Sequence, residues 1–381
     1  MRWRVVGAGT LARVPSEGLG LAIVLAVAQR GGSAAFAGLL LALTTLPQMV
    51  TGPVGGGLLD RSQRPGVVLA VAASATALAG AGLALTDARG GVAVAAALVV
   101  ACTDPLLTGG LSATFTRWAD AVGRTHELSA WDGVAYNVAG VAGPLLVTVL
   151  AVTAGADAAL VALAAIVAPT VVFVLTGPSV ATAPPDDGPR VTAALRAMWR
   201  DRPLRGITVA STLEMAALGG LAIAMVSAAG HHGRAAEAAG TVLTVRAVAA
   251  LLGSLVLTRA GHAVTPVHLV LVPIALSGTG LVAMGLVPWW TLVVIVGAAI
   301  GFADGPVLVG TYRARADGSP AALRASVFTV AASLKLGASS AGALVAGTAI
   351  GERDTPAGLV AIGAVCIAAS AAGALAARQS S

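Results

Sequence analysis

Long apolar runs separated by short polar breaks dominate the chain. They fall near 10–29, 34–58, 66–86, 91–116, 127–152 and 157–177. Six more lie near 207–229, 235–258, 265–287, 288–312, 324–348 and 356–377. Each run is about the length that carries a helix across the hydrocarbon of a bilayer, roughly 20 residues. Their Ala, Leu, Val and Gly filling lacks the strict alternation of barrel strands. A helix also closes its own backbone hydrogen bonds, as lipid requires. The pattern predicts an all-α membrane protein of twelve transmembrane helices. One long polar break, 178–206, divides it into two six-helix bundles, 1–177 and 207–381.

That break opens on "PSVATAPPDDGPR", a composition typical of disorder, and continues as "VTAALRAMWRDRPLR". Val191, Leu195, Met198 and Trp199 share a helical face there, which predicts a short amphipathic helix at the cytoplasmic surface. Its simplest role is to tether the halves. At the N-terminus, Arg2 and Arg4 precede an apolar run, as in a secretory leader. Arg13 and Glu17 interrupt that run and a second one follows at once, so the stretch is expected to stay as the first span.

Composition narrows the picture. Hydrophobic residues make up 57% of the 381 positions and charged residues 10%, against about 25% in soluble domains. Of the 23 basic residues, sixteen fall on the N-terminal side of the membrane, four on the other and three within spans. The positive-inside rule then puts both termini in the cytoplasm of a multi-pass plasma-membrane protein. The net charge of +6 reflects this topology and implies no nucleic-acid partner. Cys102 and Cys366 lie inside predicted helices and are expected to be buried, with no metal-ligand spacing around them. Most of the five histidines sit at loop positions, so neither a catalytic constellation nor an enzyme is expected. There is no Walker-type phosphate loop to couple ATP.

The halves echo each other at an offset of roughly 200 positions. Glu17 precedes "LGLAIVLAV", and Glu214 precedes "LGGLAIAMV". "ELSAW" opens the fifth span and "RASVF" the eleventh; "TDP" in the fourth is matched by "ADGP" in the tenth. A duplicated six-helix unit is the economical reading.

Between the second and third spans runs "GGGLLDRSQR" (55–64). It resembles the signature loop of the major facilitator superfamily, Gly-x-Leu-x-Asp-Arg-x-Gly-Arg-Arg/Lys, with Gln63 and Pro65 departing from the pattern. The resemblance implies a monomeric secondary active transporter, surrounded by lipid. It would move a small molecule by alternating access, powered by a proton gradient without a cofactor. It also implies a gating loop of Gly56, Asp60, Arg61 and Arg64. Asp60 would dock at the start of the eleventh helix near Arg324, while the arginines bind carboxylates or lipid phosphates. Glycines 55–57 would let a neighbouring helix approach. "YNVAGVAGPLL" (136–146) in the fifth span is similar to the Gly-x-x-x-Gly-Pro pattern of exporters in this superfamily, with Ala139 replacing the first glycine. Gly140, Gly143 and Pro144 are expected to form a packing seam and a kink. Export follows from that likeness. The alternatives are an importer or uniporter of a polar metabolite, or a transport-inactive sensor.

Charges inside membrane spans are costly and tend to mark functional sites. Here they are Arg13 and Glu17 (first span), Asp104 (fourth), Asp132 (fifth), Glu214 (seventh), Arg246 (eighth), Asp304 (tenth) and Lys335 (eleventh). The third, sixth, ninth and twelfth spans have none in their cores. All are candidates for proton coupling or substrate contact. Arg13 lies four residues before Glu17 and predicts a local pair. Glu214 has no basic neighbour within a helical turn, so it is the expected proton carrier. Asp104 and Asp304 would hold substrate or satisfy amides freed by the following prolines. Lys335, the only lysine, would pair with Asp132 or Glu214 or contact an anionic substrate.

Overall fold

The computed structural model describes residues 2–85, 90–121, 123, 125–176, 191–260, 264–320, 323–350 and 355–378. The chain divides into two compact units, Met1–Asp186 and Asp187–Ser381. Unit 1 holds α1 (Arg2–Gln29), α2 (Ala34–Thr45), α3 (Gln48–Arg61), α4 (Pro65–Leu85), α5 (Gly91–Pro105), a π turn (Leu106–Gly110), α6 (Leu111–Ala121), α7 (Thr125–Thr153) and α8 (Ala156–Leu175). Unit 2 holds α9 (Val191–Arg200), α10 (Arg202–Leu218), α11 (Leu221–His231), α12 (Glu237–Ala260), α13 (Pro266–Leu286), α14 (Trp290–Gly318), α15 (Arg324–Ile350) and α16 (Ala357–Arg378). Among the described residues, 11 stretches are long and apolar enough to cross a membrane, and 12 if the bent pair α10–α11 counts as one. This is an all-α, multi-pass membrane protein.

Three expected spans are broken rather than continuous. The second parts at Leu46–Pro47, because proline brings no N–H to the helical ladder. The fourth widens into the π turn directly after Pro105. The seventh starts at Arg202 and bends by 44° between α10 and α11. The bend falls at Gly219 and Gly220, where α15 comes too close for any side chain: Gly219 abuts the Ser339 backbone and Gly220 meets Ala346.

The amphipathic segment is a helix, α9. Of the four apolar residues assigned to one face, only Met198 is buried; Val191, Leu195 and Trp199 are exposed. Met198 and Ala194 pack on Leu204, Val327, Val330 and Ala331, so α9 is seated on α10 and α15 of its own unit. Asp201 caps α10 by accepting from the Leu204 amide at 2.8 Å. Arg205, within the polar break, is buried in α10 and donates to the Ala376 carbonyl at 2.8 Å.

The two units repeat one packing plan. In unit 1 the first span packs on the fifth and sixth, the fourth on the second and third, and the third on the sixth. In unit 2 the seventh packs on the eleventh and twelfth, the tenth on the eighth and ninth, and the ninth on the twelfth. Cys366 is buried, whereas Cys102 is exposed on an apolar membrane helix, contrary to the expected burial of both.

Candidate functional site

In unit 1 the site is built where α1 crosses α7. A Cβ on Gly143 would lie 2.8 Å from the Gly18 amide nitrogen and 2.9 Å from the Val14 carbonyl. The two backbones therefore touch, and α1 presents Arg13 and Glu17 directly to α7. Arg13, 1% exposed, forms an ion pair with Asp132 at 2.8 Å. Ser112 ties the pair together, accepting from Arg13 at 2.5 Å and donating to Asp132 at 2.6 Å. The Thr108 carbonyl, on the π turn, accepts a further bond from Arg13 at 3.3 Å.

The expected Arg13–Glu17 pair is thus not made. Arg13 turns instead to a carboxylate on the facing helix, although its Nε and one terminal nitrogen have no hydrogen-bond partner among the described residues. Glu17 instead accepts from the Tyr136 phenol and lies within electrostatic reach of Asp104. Asp104 is held by neutral donors, the Ser16 hydroxyl and the Gln48 amide, rather than by backbone amides freed at Pro105. Three carboxylates and one arginine meet here, and the arginine is committed to Asp132.

Unit 2 places matching elements differently. On α14, Gly301 lies against the Arg246 backbone and Gly305 against Ala250 and Ser254; on α12, Gly253 lies against Phe302. This close crossing brings Arg246 to Asp304, to which it donates from Nε at 2.9 Å and from a terminal nitrogen at 2.5 Å. Ser277 of α13 donates to the other oxygen of Asp304. Asp304 is therefore spent on a structural ion pair. Glu214, 3% exposed, leaves its Oε2 without a hydrogen-bond partner among the described residues. Lys335, Asp304 and Arg246 lie within its electrostatic reach. Lys335 itself makes no ion pair with Glu214 at contact distance among the described residues.

The expected packing devices divide. In the fifth span Gly143 carries the seam with buried Ala139, while Gly140 has nothing within 4 Å of its would-be Cβ. The helix runs on through Pro144 to Thr153. In the signature loop Gly55 lies against Leu106, but Gly56 and Gly57 face open space, so the expected close approach occurs only at the loop's first glycine. Arg61 and Arg64 are exposed. The side chains of Asp60 and Arg324 lie outside the described residues, and so does their expected contact.

Sequence reasoning missed Ser16, Gln48, Ser112, Tyr136, Ser277 and Arg315. Gln48 carried a readable signal. It holds the fourth-span aspartate from the second span, as Arg246 holds Asp304 from the eighth, at an offset of roughly 200 residues.

No family model and no curated protein matches the chain. Solved structures do. The nucleoside transporter NupG superposes with a TM-score of 0.75 at 14% identity, covering 100% of this chain and 99% of that one. A bacterial homologue of the human lysosomal transporter Spinster gives 0.71 at 15%, covering 99% and 97%. The POT family transporter PepTSo gives 0.67 at 12%, covering 99% and 97%. The fold is that of the major facilitator superfamily. At these identities the likeness speaks for architecture, the one that secondary transporters share over essentially the whole chain.

Proposed function

We propose that the protein is a proton-coupled secondary transporter of a small polar molecule, working by alternating access in the plasma membrane. The carrying observation is the charge imbalance in unit 1. Glu17 and Asp104 stand together, and the arginine beside them is already paired with Asp132. Two carboxylates in an apolar bundle repel each other unless a proton or a cation joins them. A carrier that binds and releases that proton on opposite sides of the membrane couples its cycle to the proton gradient. Sequence alone favoured Glu214 for this role; the carboxylate pair beside a committed arginine moves our assignment to Glu17 and Asp104.

Export is the direction that the fifth-span pattern implies, and both glycine positions of that pattern, Ala139 and Gly143, pack as such a seam would. Import is the second reading, favoured by Ala139, which stands where the export pattern has its first glycine. Substrate flux in inverted and right-side-out vesicles, with and without an imposed proton gradient, separates the two. The expected result is gradient-driven flux in one orientation, abolished in Glu17→Gln and Asp104→Asn with expression retained. Normal gradient-driven flux in both variants would remove the pair from the mechanism.

A further inference from the structure

The first and seventh spans end alike. Arg30 directly follows α1 and donates to the Leu83 and Ala84 carbonyls at 3.0 and 2.7 Å, where α4 ends. His232 directly follows α11, and its Nε2 stands 3.1 Å from the Val287 carbonyl, where α13 ends. The two basic residues are roughly 200 positions apart, the offset of the repeat. Each unit thus ties the end of its first span to the end of its third through a basic side chain on a helix-end carbonyl. The bases differ in chemistry. Arginine keeps its charge across the whole working range, whereas histidine is the side chain that changes charge between about pH 5 and 8.

The other ring nitrogen of His232 sets what that change does. Nδ1 stands 2.8 Å from the Ala228 carbonyl of α11. A carbonyl oxygen only accepts, so both contacts call for an N–H. A neutral imidazole has one and an imidazolium has two. Only the charged ring can donate to Ala228 and Val287 together. A neutral ring turns a lone pair toward one of the two oxygens, and that contact is lost as a bond.

The charged and titratable groups around the ring are few. On its own segment the His231 ring lies 5.4 Å away, and Arg234 follows. Trp290 of α14 packs beside it with ring centroids 5.5 Å apart. α12, α15 and α16 pack on α11. Glu237 opens α12, while α13 and α15 end, and α14 and α16 begin, without an acidic or basic residue. Glu352, Arg353 and Asp354, between α15 and α16, lie outside the described residues.

We propose that His232 is a regulatory proton site. Charged, it latches the end of the seventh span to the end of the ninth; neutral, it gives up one of its two carbonyls. Acid therefore fastens this end of unit 2, while Arg30 holds the matching end of unit 1 at every pH. In the unfolded chain water serves either form of the ring equally. The extra bond belongs to the folded, protonated state alone, so its stabilisation is present in acid and lost as pH rises through the histidine range. The site stands apart from Glu17 and Asp104 and does not depend on the transporter reading.

The test uses the full chain purified in detergent, at about pH 5.5 and about pH 8.5, either side of the histidine range. Hydrogen exchange is corrected for its intrinsic pH dependence. Protection of 283–293, where α13 ends and α14 begins, should fall about tenfold from the first pH to the second. Protection of 79–85, held by Arg30 at the matching end of unit 1, should not change. His232→Gln, which does not titrate, should remove the fall at 283–293, and His231→Gln should leave it. In thermal scans His232→Gln should melt about 2–6 °C below the parent in acid, with the gap closing at the higher pH. The proposal is overturned if 283–293 keeps its protection at both pH values, if 79–85 loses protection alongside it, or if the fall survives in His232→Gln. The comparison of the two ends within the parent chain decides the matter even where a variant fails to fold.

Discussion

Adding a methyl group at Gly143 should separate what holds the unit 1 site together from what merely lies near it. The new Cβ would stand 2.8 Å from the Gly18 nitrogen, 2.9 Å from the Val14 oxygen and 3.0 Å from the Glu17 carbonyl carbon. All three are backbone atoms, so no side-chain rotation relieves the clash. Ordinary contact lies between about 3.5 and 4.0 Å, so α1 must move away by roughly 0.5–1 Å. An Arg13–Asp132 ion pair spanning the same helices at 2.8 Å would lengthen with that movement. Overpacking of this kind costs about 1–3 kcal/mol. Replacing a helical glycine by alanine returns about 1 kcal/mol of propensity, so the measurement needs a control. Gly140, on the same helix, supplies it, because its Cβ would meet nothing within 4 Å. The difference between Gly143→Ala and Gly140→Ala cancels the propensity gain and isolates the crossing. For a unit of this size each kcal/mol moves the melting temperature by about 2–4 °C. Gly143→Ala should therefore melt about 2–12 °C below Gly140→Ala in scans at one heating rate, and should also lose gradient-driven flux. Equal melting temperatures would refute the claim that backbone contact at this crossing sets the site.

Further outcomes follow from other contacts. Arg246→Leu should destabilise by about 3–5 kcal/mol by stranding Asp304, while the Arg246→Leu/Asp304→Leu double variant should recover most of the loss, as read by melting temperature and expression yield. Arg30 binds the Leu83 and Ala84 carbonyls at 3.0 and 2.7 Å and also pairs with Asp157, which is 57% exposed. Arg30→Met should cost about 1–3 kcal/mol through the carbonyl bonds, and Asp157→Asn less than about 1 kcal/mol, because an exposed ion pair contributes little. Ser112→Ala should weaken unit 1 by about 1–3 kcal/mol by removing the hydroxyl between Arg13 and Asp132, and Ser112→Thr should restore part of it, checked by the same scans.

What could be read from the chain, and what could not, follows from the range over which each interaction acts. The spans were legible because lipid demands long unbroken apolar runs, and each run is a local property. The in-span charges were legible for the same reason, since each stands out against its own neighbours. Their partners were not. Arg13 has Glu17 one turn away in sequence and takes Asp132 from another helix, and only the Gly18–Gly143 crossing explains that choice. Arg315 looked like one more basic residue at an inner helix end. Its burial and its contact with Phe328 come from α15 and leave no mark near position 315. The glycines of the signature loop show the converse failure. Gly56 matches a pattern, yet a Cβ there or at Gly57 would meet nothing among the described residues, whereas Gly301 lies in no quoted motif and joins Gly305 in bringing α12 and α14 together.

The widened turn at Leu106–Gly110 holds one residue more than an α-helix would need there. One residue is about 100° of rotation, so the lower part of this rod is set by the surplus to face a direction its upper part does not predict. Ser112, just past that turn, is the side chain that meets Arg13. Deleting a single residue within 106–110 would close the wide turn into α winding, so this is where the span can lose a position with the least displacement of Asp104 before it and Ser112 after it.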